Sequence, residues 1–466
     1  MKVNIQIKQR SRKTGMIFFL LFLIVSGFIS CKKYLELKPD SKLAVPTSVN
    51  DLQAILDYTN DMNLQTTPGF GSSSTTDYFV SDADYNSYPL ATQQVYYWQR
   101  GEYNFINDWS KGYHAIFNAN YCLEQIDKIK VSSGTKPAWD NVKGSALFYR
   151  SFYFLHLLWD YAKAFDSSSY NQDLGIVLRL GSDFNVPSVR ATAKECYNRV
   201  IEDAKSSLDY LPDYPLEVLR PSKGASYGLL ANAYLSMRMY DSAFKYSVMY
   251  LQLNNELIDY NGDPDINGDI AGDVPFKKFN KETIFYTTMN SDLLNDSWIG
   301  KIDTVLYSLY DSNDLRKTAF FMPIDGYFKF KCIYTGDSYY YFTGIATDEM
   351  YLLKAECEAR KGNVANAMDD LNKLLIKRWK AGTFVPFTAT NSDEALHIIL
   401  TERRKELIDR GRRWMDIKRL NKENANIVLV RKIGGKTYTL QPNANYYALP
   451  LPADIIKASG IPQNEP

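Results

Sequence analysis

Residues 229–254 read LLANAYLSMRMYDSAFKYSVMYLQLN. Leu230, Ala231 and Tyr234 fall on one face of a helix with 3.6 residues per turn. A short break at Arg238–Met239 follows. Tyr240, Ala243, Tyr246 and Tyr250 then share the face of a second helix. The small residues allow two helices to approach closely, and the large ones fill the gaps between them. This is the pattern of a tetratricopeptide-like hairpin. Residues 350–376 repeat it. Leu352, Ala355 and Ala359 form one face, and Gly362-Asn363 supplies a turn at which glycine suits a left-handed backbone. Val364, Met368, Leu371 and Leu375 recur at helical spacing. Ala243 and Ala367 mark equivalent places, but their separation is not a multiple of about 34 residues. An insertion therefore divides the copies.

Further helices are predicted on either side. Residues 113–129 carry Ile116, Asn120, Leu123 and Ile126 at helical spacing. Residues 144–165 are long and aromatic, with Pro137 upstream. Residues 192–211 open with Thr192 and Glu195, the spacing of a capping box, and stop at Pro212. Residues 391–420 start from a polar cap and are predicted to run as one helix. Between these segments lie loops. Residues 66–103 show no helical period, residues 259–273 are rich in Gly, Asp and Asn, and residues 281–290 and 326–342 read as short strands or irregular chain. Loops this long inside a folded unit usually serve a function.

The N-terminus sets the compartment. Lys2, Lys8, Arg10, Arg12 and Lys13 precede an apolar run from Met16 to Ile29, and Ser30-Cys31 closes it. This is a secretory layout, and the run is too short for a spanning helix of about 20 residues. A small residue before a cysteine at this place resembles a lipobox, so Cys31 is the expected lipid attachment site. An ordinary signal with an incidental cysteine is the competing reading. Residues 1–30 are then a lipoprotein signal peptide, and residues 31–466 a single domain.

Composition narrows the function. With 45% hydrophobic and 23% charged residues the chain can build a large core, and a net charge of +1 favours no nucleic acid. Cys122, Cys196, Cys332 and Cys357 form no C-x-x-C pair, which speaks against a zinc or redox motif. The three histidines, His114, His156 and His397, occur in no hydrolase motif, and His114 and His156 are expected to be core or cap residues. Residues 402–419 hold eight basic and four acidic side chains. Glu and Arg alternate there at helical neighbours, which points to ion pairs within the fold, with Leu407 and Trp414 on the apolar side.

Two segments invite a ligand. Tyrosine is abundant, at 35 residues. Tyr78, Phe79, Tyr85, Tyr88, Tyr96, Tyr97 and Trp98 crowd one loop region, with Asp82, Asp84 and Gln94 among them. Sugar C–H faces stack on such rings. Trp98 in particular is expected to stack on ligand and add little to the core, and Trp298 offers a second platform. Packing against the helices is the alternative for each ring. Asp263, Asp265, Asn267 and Asp269, with Gly268 and Asp273, follow the first half of a calcium loop. Val274 stands where the bidentate glutamate belongs, so a solvated turn accommodates the same residues.

Several motifs resemble the RagB/SusD family of outer-membrane lipoproteins. They are Cys31-Lys-Lys-Tyr-Leu-Glu-Leu-Lys-Pro39, the segments 144–154, 175–179, 189–212, 220–231 and 348–356, the run Glu402-Arg-Arg-Lys-Glu-Leu-Ile-Asp-Arg-Gly-Arg-Arg-Trp-Met-Asp-Ile-Lys-Arg419, and Tyr447-Ala-Leu-Pro-Leu-Pro452. The resemblance implies an all-α scaffold of about four tetratricopeptide-like helix pairs beside a loop-rich ligand-binding half. It implies a protein anchored at the cell surface that performs no chemistry. Such a protein would present glycans, or oligopeptides, to a SusC-like TonB-dependent transporter. Family sites tend to draw on the two aromatic regions named above. A tetratricopeptide interaction scaffold and a surface glycan hydrolase are the rival readings. The first has no use for aromatic loops, and the second needs two carboxylates at hydrolytic spacing.

Overall fold

The computed structural model describes residues 46, 48–101, 107–290 and 298–465. Cys31 and the predicted signal peptide lie outside them. Seventeen helices and five two-stranded sheets occur among the described residues, and the architecture is helical. Nine of these helices form the scaffold: α1 (Asp108–Ile126), α2 (Lys136–Tyr161), α3 (Ala193–Ser207), α4 (Lys223–Ser236), α5 (Tyr240–Leu253), α6 (Thr347–Arg360), α7 (Val364–Leu375), α8 (Ser392–Glu406) and α9 (Arg413–Asn421). α1–α2, α4–α5 and α6–α7 fold back as hairpins. α3 bridges α2 and α4, α5 packs on α6, and α8 lies on α6.

The α4–α5 hairpin follows from its small residues. Ala225, Ala231 and Ala243 are fully buried. A Cβ on Gly228 would lie 2.4 Å from Ile345 and 3.4 Å from the Tyr250 ring, so only glycine lets these groups meet. Tyr234 and Tyr246 stack across the hairpin with centroids 5.7 Å apart. Arg238 turns the chain at φ 60°, and Gly362 does the same between α6 and α7 at φ 85°. α3 starts as its sequence predicts. The Thr192 hydroxyl accepts from the Glu195 amide, and the Glu195 carboxylate accepts from the Thr192 amide. Such a cap contributes about 1 kcal/mol.

Two expectations are corrected. Residues 66–103 are not bare loop, because short helices occupy Phe70–Ser73, Asp82–Ser87 and Leu90–Tyr96. They are too short to show a period in sequence. The segment 391–420 is two helices, broken where Asp409 and Gly411 adopt φ 51° and 71°. The break has a physical reason. Residues two apart on a helix point to different sides, yet Arg410 and Arg412 both turn inward, to Asp348 at 3.0 Å and Glu349 at 2.7 Å. Both carboxylates sit in the first turn of α6.

The same basic run builds a buried ion network. Arg316, itself fully buried, meets Asp314 at 2.6 Å and Glu406 at 2.9 Å. Arg378 meets Glu406 at 2.7 Å and Glu282 at 2.9 Å. Arg419 donates to Glu356 at 2.7 Å. Lys405–Glu402 and Arg419–Asp416 are neighbours on one helix. Arg419–Glu356 ties two scaffold helices together, while Arg316–Glu406 and Arg378–Glu282 join the scaffold to the loop-rich half, so the charges do more than decorate one helix. Leu407 and Trp414 are buried beside them. The loop-rich half has its own core around Tyr260, Phe276, Phe320, Tyr334 and Phe342.

Candidate ligand-binding site

The aromatic segment 78–98 faces inward. Tyr78, Tyr85, Tyr96 and Trp98 are buried, and Tyr88 and Tyr97 are half-buried. The Tyr78 hydroxyl donates to the Ser73 carbonyl at 2.7 Å, and the Trp98 indole N–H donates to the Ser74 carbonyl at 2.8 Å. Arg431 places its guanidinium 3.5 Å from the Tyr96 ring centroid and 4.8 Å from that of Tyr78. It also donates to the Thr75 carbonyl. Tyr97 leans on Tyr438 with centroids 4.9 Å apart. Phe79 packs edge-on against Tyr327 at 5.1 Å. The expectation that Trp98 is a ligand platform outside the core is corrected. Its faces, like those of Tyr78, Tyr85 and Tyr96, are occupied by protein.

Trp298 is different. It is 55% exposed, beside Tyr339 at 50%, with ring centroids 5.2 Å apart. The Lys329 ammonium lies 4.9 Å from the Trp298 centroid. The next residue, Tyr340, lines a cleft of about 550 Å³ with Gln65, Asp61, Lys111, His114 and Tyr286. The Asp337 carboxylate accepts from the Tyr339 and Tyr340 amides at 2.9 and 3.0 Å, which fixes the backbone that carries both rings. His114 sits on the outer face of α1, 2.9 Å from the Asp61 carboxylate, and not in the core as its apolar helix suggests. His156 does lie in the core, between the Phe152 and Trp159 rings, and burial lowers its pKa. The cleft combines ring faces with a carboxylate, an imidazole and an ammonium. That mixture suits a polyhydroxyl ligand, whose C–H faces stack while its hydroxyls hydrogen-bond. Sequence reasoning passed over Tyr339 and Tyr340. The aromatic run 339–342 was the available signal.

The floor of the cleft is tied to the interior. The Lys111 ammonium donates to the Asn290 side chain at 2.7 Å, and Asn290 donates to Asp108 at 2.6 Å. The other Asp108 oxygen accepts from the Gly69 and Phe70 amides, both at 2.7 Å, and Asp160 accepts from Gly71 at 3.0 Å. A Cβ at Gly71 would lie 2.3 Å from Asp160, so the segment can dock only as glycine. Burial pushes the Asp108 carboxyl up to about 6. Burial and then the Asp108 charge push Asp160 upward too, and burial lowers Lys418 beside it. A carboxyl raised in the folded state keeps protons that the unfolded chain releases near the ordinary aspartate value of 3.8. Stability from this pair is therefore fullest below that value and falls as pH rises through about 6. Asp160→Asn should shrink the difference between urea midpoints at pH 5 and pH 7. A difference as large as in wild type overturns the assignment.

In the segment that follows half of a calcium loop, the polar side chains are engaged within turns. Asp263 is held by the Lys281 ammonium at 2.9 Å and accepts from the Asp265 amide at 2.9 Å. Asp265 accepts from the Lys281 amide, Asp269 from the Ala271 amide, and the Asn267 amide side chain donates to Val274. These side chains close turns instead of converging on a point. No group of three or more His, Cys, Asp or Glu among the described residues, Asp273 included, is placed to hold a metal ion. Cys122, Cys196, Cys332 and Cys357 are buried free thiols.

A helical hairpin scaffold, a loop-rich half locked to it by buried arginines, and an aromatic cleft between distant segments define a tetratricopeptide-like binding protein. Two family models match it in succession. One, described as starch-binding and associating with the outer membrane, covers residues 33–235, and the SusD family model covers residues 301–460. The chain belongs to the RagB/SusD family. It is 22% identical over 425 residues to the SusD-like protein P2 of Formosa agariphila, spanning 77% of this chain and 79% of that one. Its fold matches a SusD superfamily protein from Bacteroides thetaiotaomicron with TM-score 0.72 and 18% identity, covering 90% of this chain and 100% of the other. A laminarin-binding SusD-like protein matches with TM-score 0.64 and 17% identity, covering 89% and 97%. The family comprises carbohydrate-binding proteins described as associated with the outer membrane.

Proposed function

We propose that this protein captures glycans on the exposed Trp298–Tyr339 rings and in the cleft lined by Tyr340, and performs no chemistry on them. The observation that carries the reading is the exposed Trp298–Tyr339 ring pair, one residue along the chain from Tyr340, which lines a cleft with Tyr286, Asp61, His114 and Lys111. The starch-binding description of one family model and the laminarin-binding neighbour support it. In this reading residues 1–30 are removed and Cys31 carries the lipid anchor at the outer membrane. A SusC-like TonB-dependent transporter receives the cargo. The test is an array of immobilised glycans probed with wild type and Trp298→Ala. Wild type should bind at least one glycan, and the variant should lose about 1–2 kcal/mol of binding, the scale of one stacked aromatic. Absence of binding by wild type to every glycan would overturn the reading.

A further inference from the structure

We infer that Asp108 and Asn290 are positioning residues of the cleft, and that their hydrogen-bond relay holds the Lys111 ammonium in place at neutral pH and releases it in acid. The inference rests on the glycan-capture reading and supplies a regulation of the same site. Lys111 lines the cleft, and one of its three N–H donors is spent on the Asn290 side-chain oxygen at 2.7 Å. The Asn290 side-chain nitrogen donates in turn to Oδ1 of Asp108 at 2.6 Å. Oδ2 of Asp108 accepts from the Gly69 and Phe70 amides, both at 2.7 Å. One amide group therefore meets Lys111 at its oxygen and Asp108 at its nitrogen. Its backbone is fixed, because the Asn290 main-chain N–H donates to the Thr67 carbonyl at 3.0 Å. The Asp108 and Asn290 side chains are buried, so neither can turn to solvent.

The relay runs one way while Asp108 is ionised and the other way once it is protonated. Two backbone N–H groups already point at Oδ2, so the proton goes to Oδ1. There it meets the Asn290 NH2, donor against donor. A half-turn of the Asn290 amide restores the bond, with its oxygen accepting from the Asp108 O–H. The same half-turn presents the NH2 to the Lys111 ammonium, again donor against donor, and Lys111 loses its acceptor. Its side chain regains rotamers that a ligand must freeze again. One proton is taken from solvent by Asp108, and none leaves Lys111. The charged groups around Asp108 are Lys111 on its own helix, Asp160 on α2 and Lys418 on α9. The segments 69–73 and 287–290 bring none. Asp160 accepts from the Gly71 amide, and Lys418 donates to the Trp159 and Ala162 carbonyls, so these two act on Asp108 through their field. His156, one turn earlier on α2, is lowered by burial and by the Arg412 charge. The cleft itself also holds His114, Asp61, Lys278 and Asp337. Burial pushes Asp108 up to about 6, which sets the window in which the relay reverses.

The experiment uses the full chain. Crystal structures of the protein alone should show Lys111 bonded to Asn290 at pH 7 and turned away from it at pH 5. Affinity for the uncharged glycan that wild type binds best on the array should be about threefold to tenfold weaker at pH 5 than at pH 7, the scale of one side chain left to be ordered on binding. Asp108→Asn keeps an acceptor for the Gly69 and Phe70 amides and fixes the protonated pattern. Its affinity should stay at the pH 5 level of wild type throughout. Lys111→Met, which removes the end of the relay at the cleft wall, should also be flat with pH, and it tests the relay where Asp108→Asn does not fold. Wild-type affinity that is flat from pH 5 to pH 7, Lys111 bonded to Asn290 in both crystals, or a wild-type pH profile kept by Lys111→Met overturns the relay and leaves glycan capture standing. A profile kept by Lys111→Met and lost in His114→Gln assigns the dependence to the imidazole and equally overturns the relay. Failure of wild type to bind any glycan removes the capture reading, and the two crystal structures then decide the relay by themselves.

Discussion

Glu406→Ala should destabilise the protein by about 3–5 kcal/mol, the cost of leaving buried charge unpaired. One Glu406 oxygen accepts from Arg378 at 2.7 Å and the other from Arg316 at 2.9 Å, and all three side chains are inaccessible to water. Burial alone would raise the Glu406 carboxyl, but Arg378 and Arg316 together hold it below its ordinary value. Removing it leaves two guanidiniums in the interior with one bridging anion fewer. Arg316 keeps Asp314 and Glu402, and Arg378 keeps Glu282. Burial pushes the Glu282 carboxyl upward, and loss of Glu406 should draw it back toward the ionised form. That relaxation sets the cost nearer 3 than 5 kcal/mol. The control is Asp369→Ala, which breaks a pair to Lys373 whose side chains are 65% and 52% exposed. An exposed pair of this kind contributes about 0.2–1 kcal/mol. Urea midpoints measured at low and high salt distinguish the two, since only the exposed pair is screened. A Glu406→Ala midpoint no lower than that of Asp369→Ala would show that the network adds little.

The network also shows where sequence reasoning reaches its limit. Alternating charges in residues 402–419 announce ion pairs, but the partners of Arg412 and Arg419 lie 63 residues away on α6. The partner of Glu406, Arg316, is 90 residues away. Helical spacing cannot name such partners. Hairpins and caps were legible because their causes are local: Ala243 against α4, Gly362 at a turn, Thr192 with Glu195. The break after α8 was not. Its cause is the pair of carboxylates at the start of α6, which no pattern within residues 391–420 contains. The cleft is a further step removed. It gathers residues 60–66, 110–114, 278–286 and 337–340, and their proximity follows only from the folded scaffold.

Aromatic density misled for the same reason, and Trp98→Ala makes the point measurable. A sequence shows how many rings a segment has, not which way they face. The residue that turns these inward is Arg431, which donates to the Tyr78 carbonyl 353 positions upstream. Its guanidinium is 5.8 Å from the Trp98 ring centroid. Trp98 is 9% exposed, at φ 62°, with its indole N–H bonded to the Ser74 carbonyl at 2.8 Å. Truncation to alanine removes a buried ring, leaves a cavity beside Arg431 and frees the Ser74 carbonyl. Buried Trp→Ala changes cost about 3–5 kcal/mol, and the lost hydrogen bond adds about 1 kcal/mol. The left-handed backbone strain at position 98 remains with alanine, so nothing offsets the loss. Glycan affinity per folded molecule should be unchanged, because the ring meets protein on its faces. Trp298→Ala should do the reverse, keeping the melting temperature and losing affinity. The two tryptophans thus exchange roles between stability and binding. A Trp98→Ala protein that melts with wild type but binds its glycan weakly would place the ligand on the 78–98 segment after all.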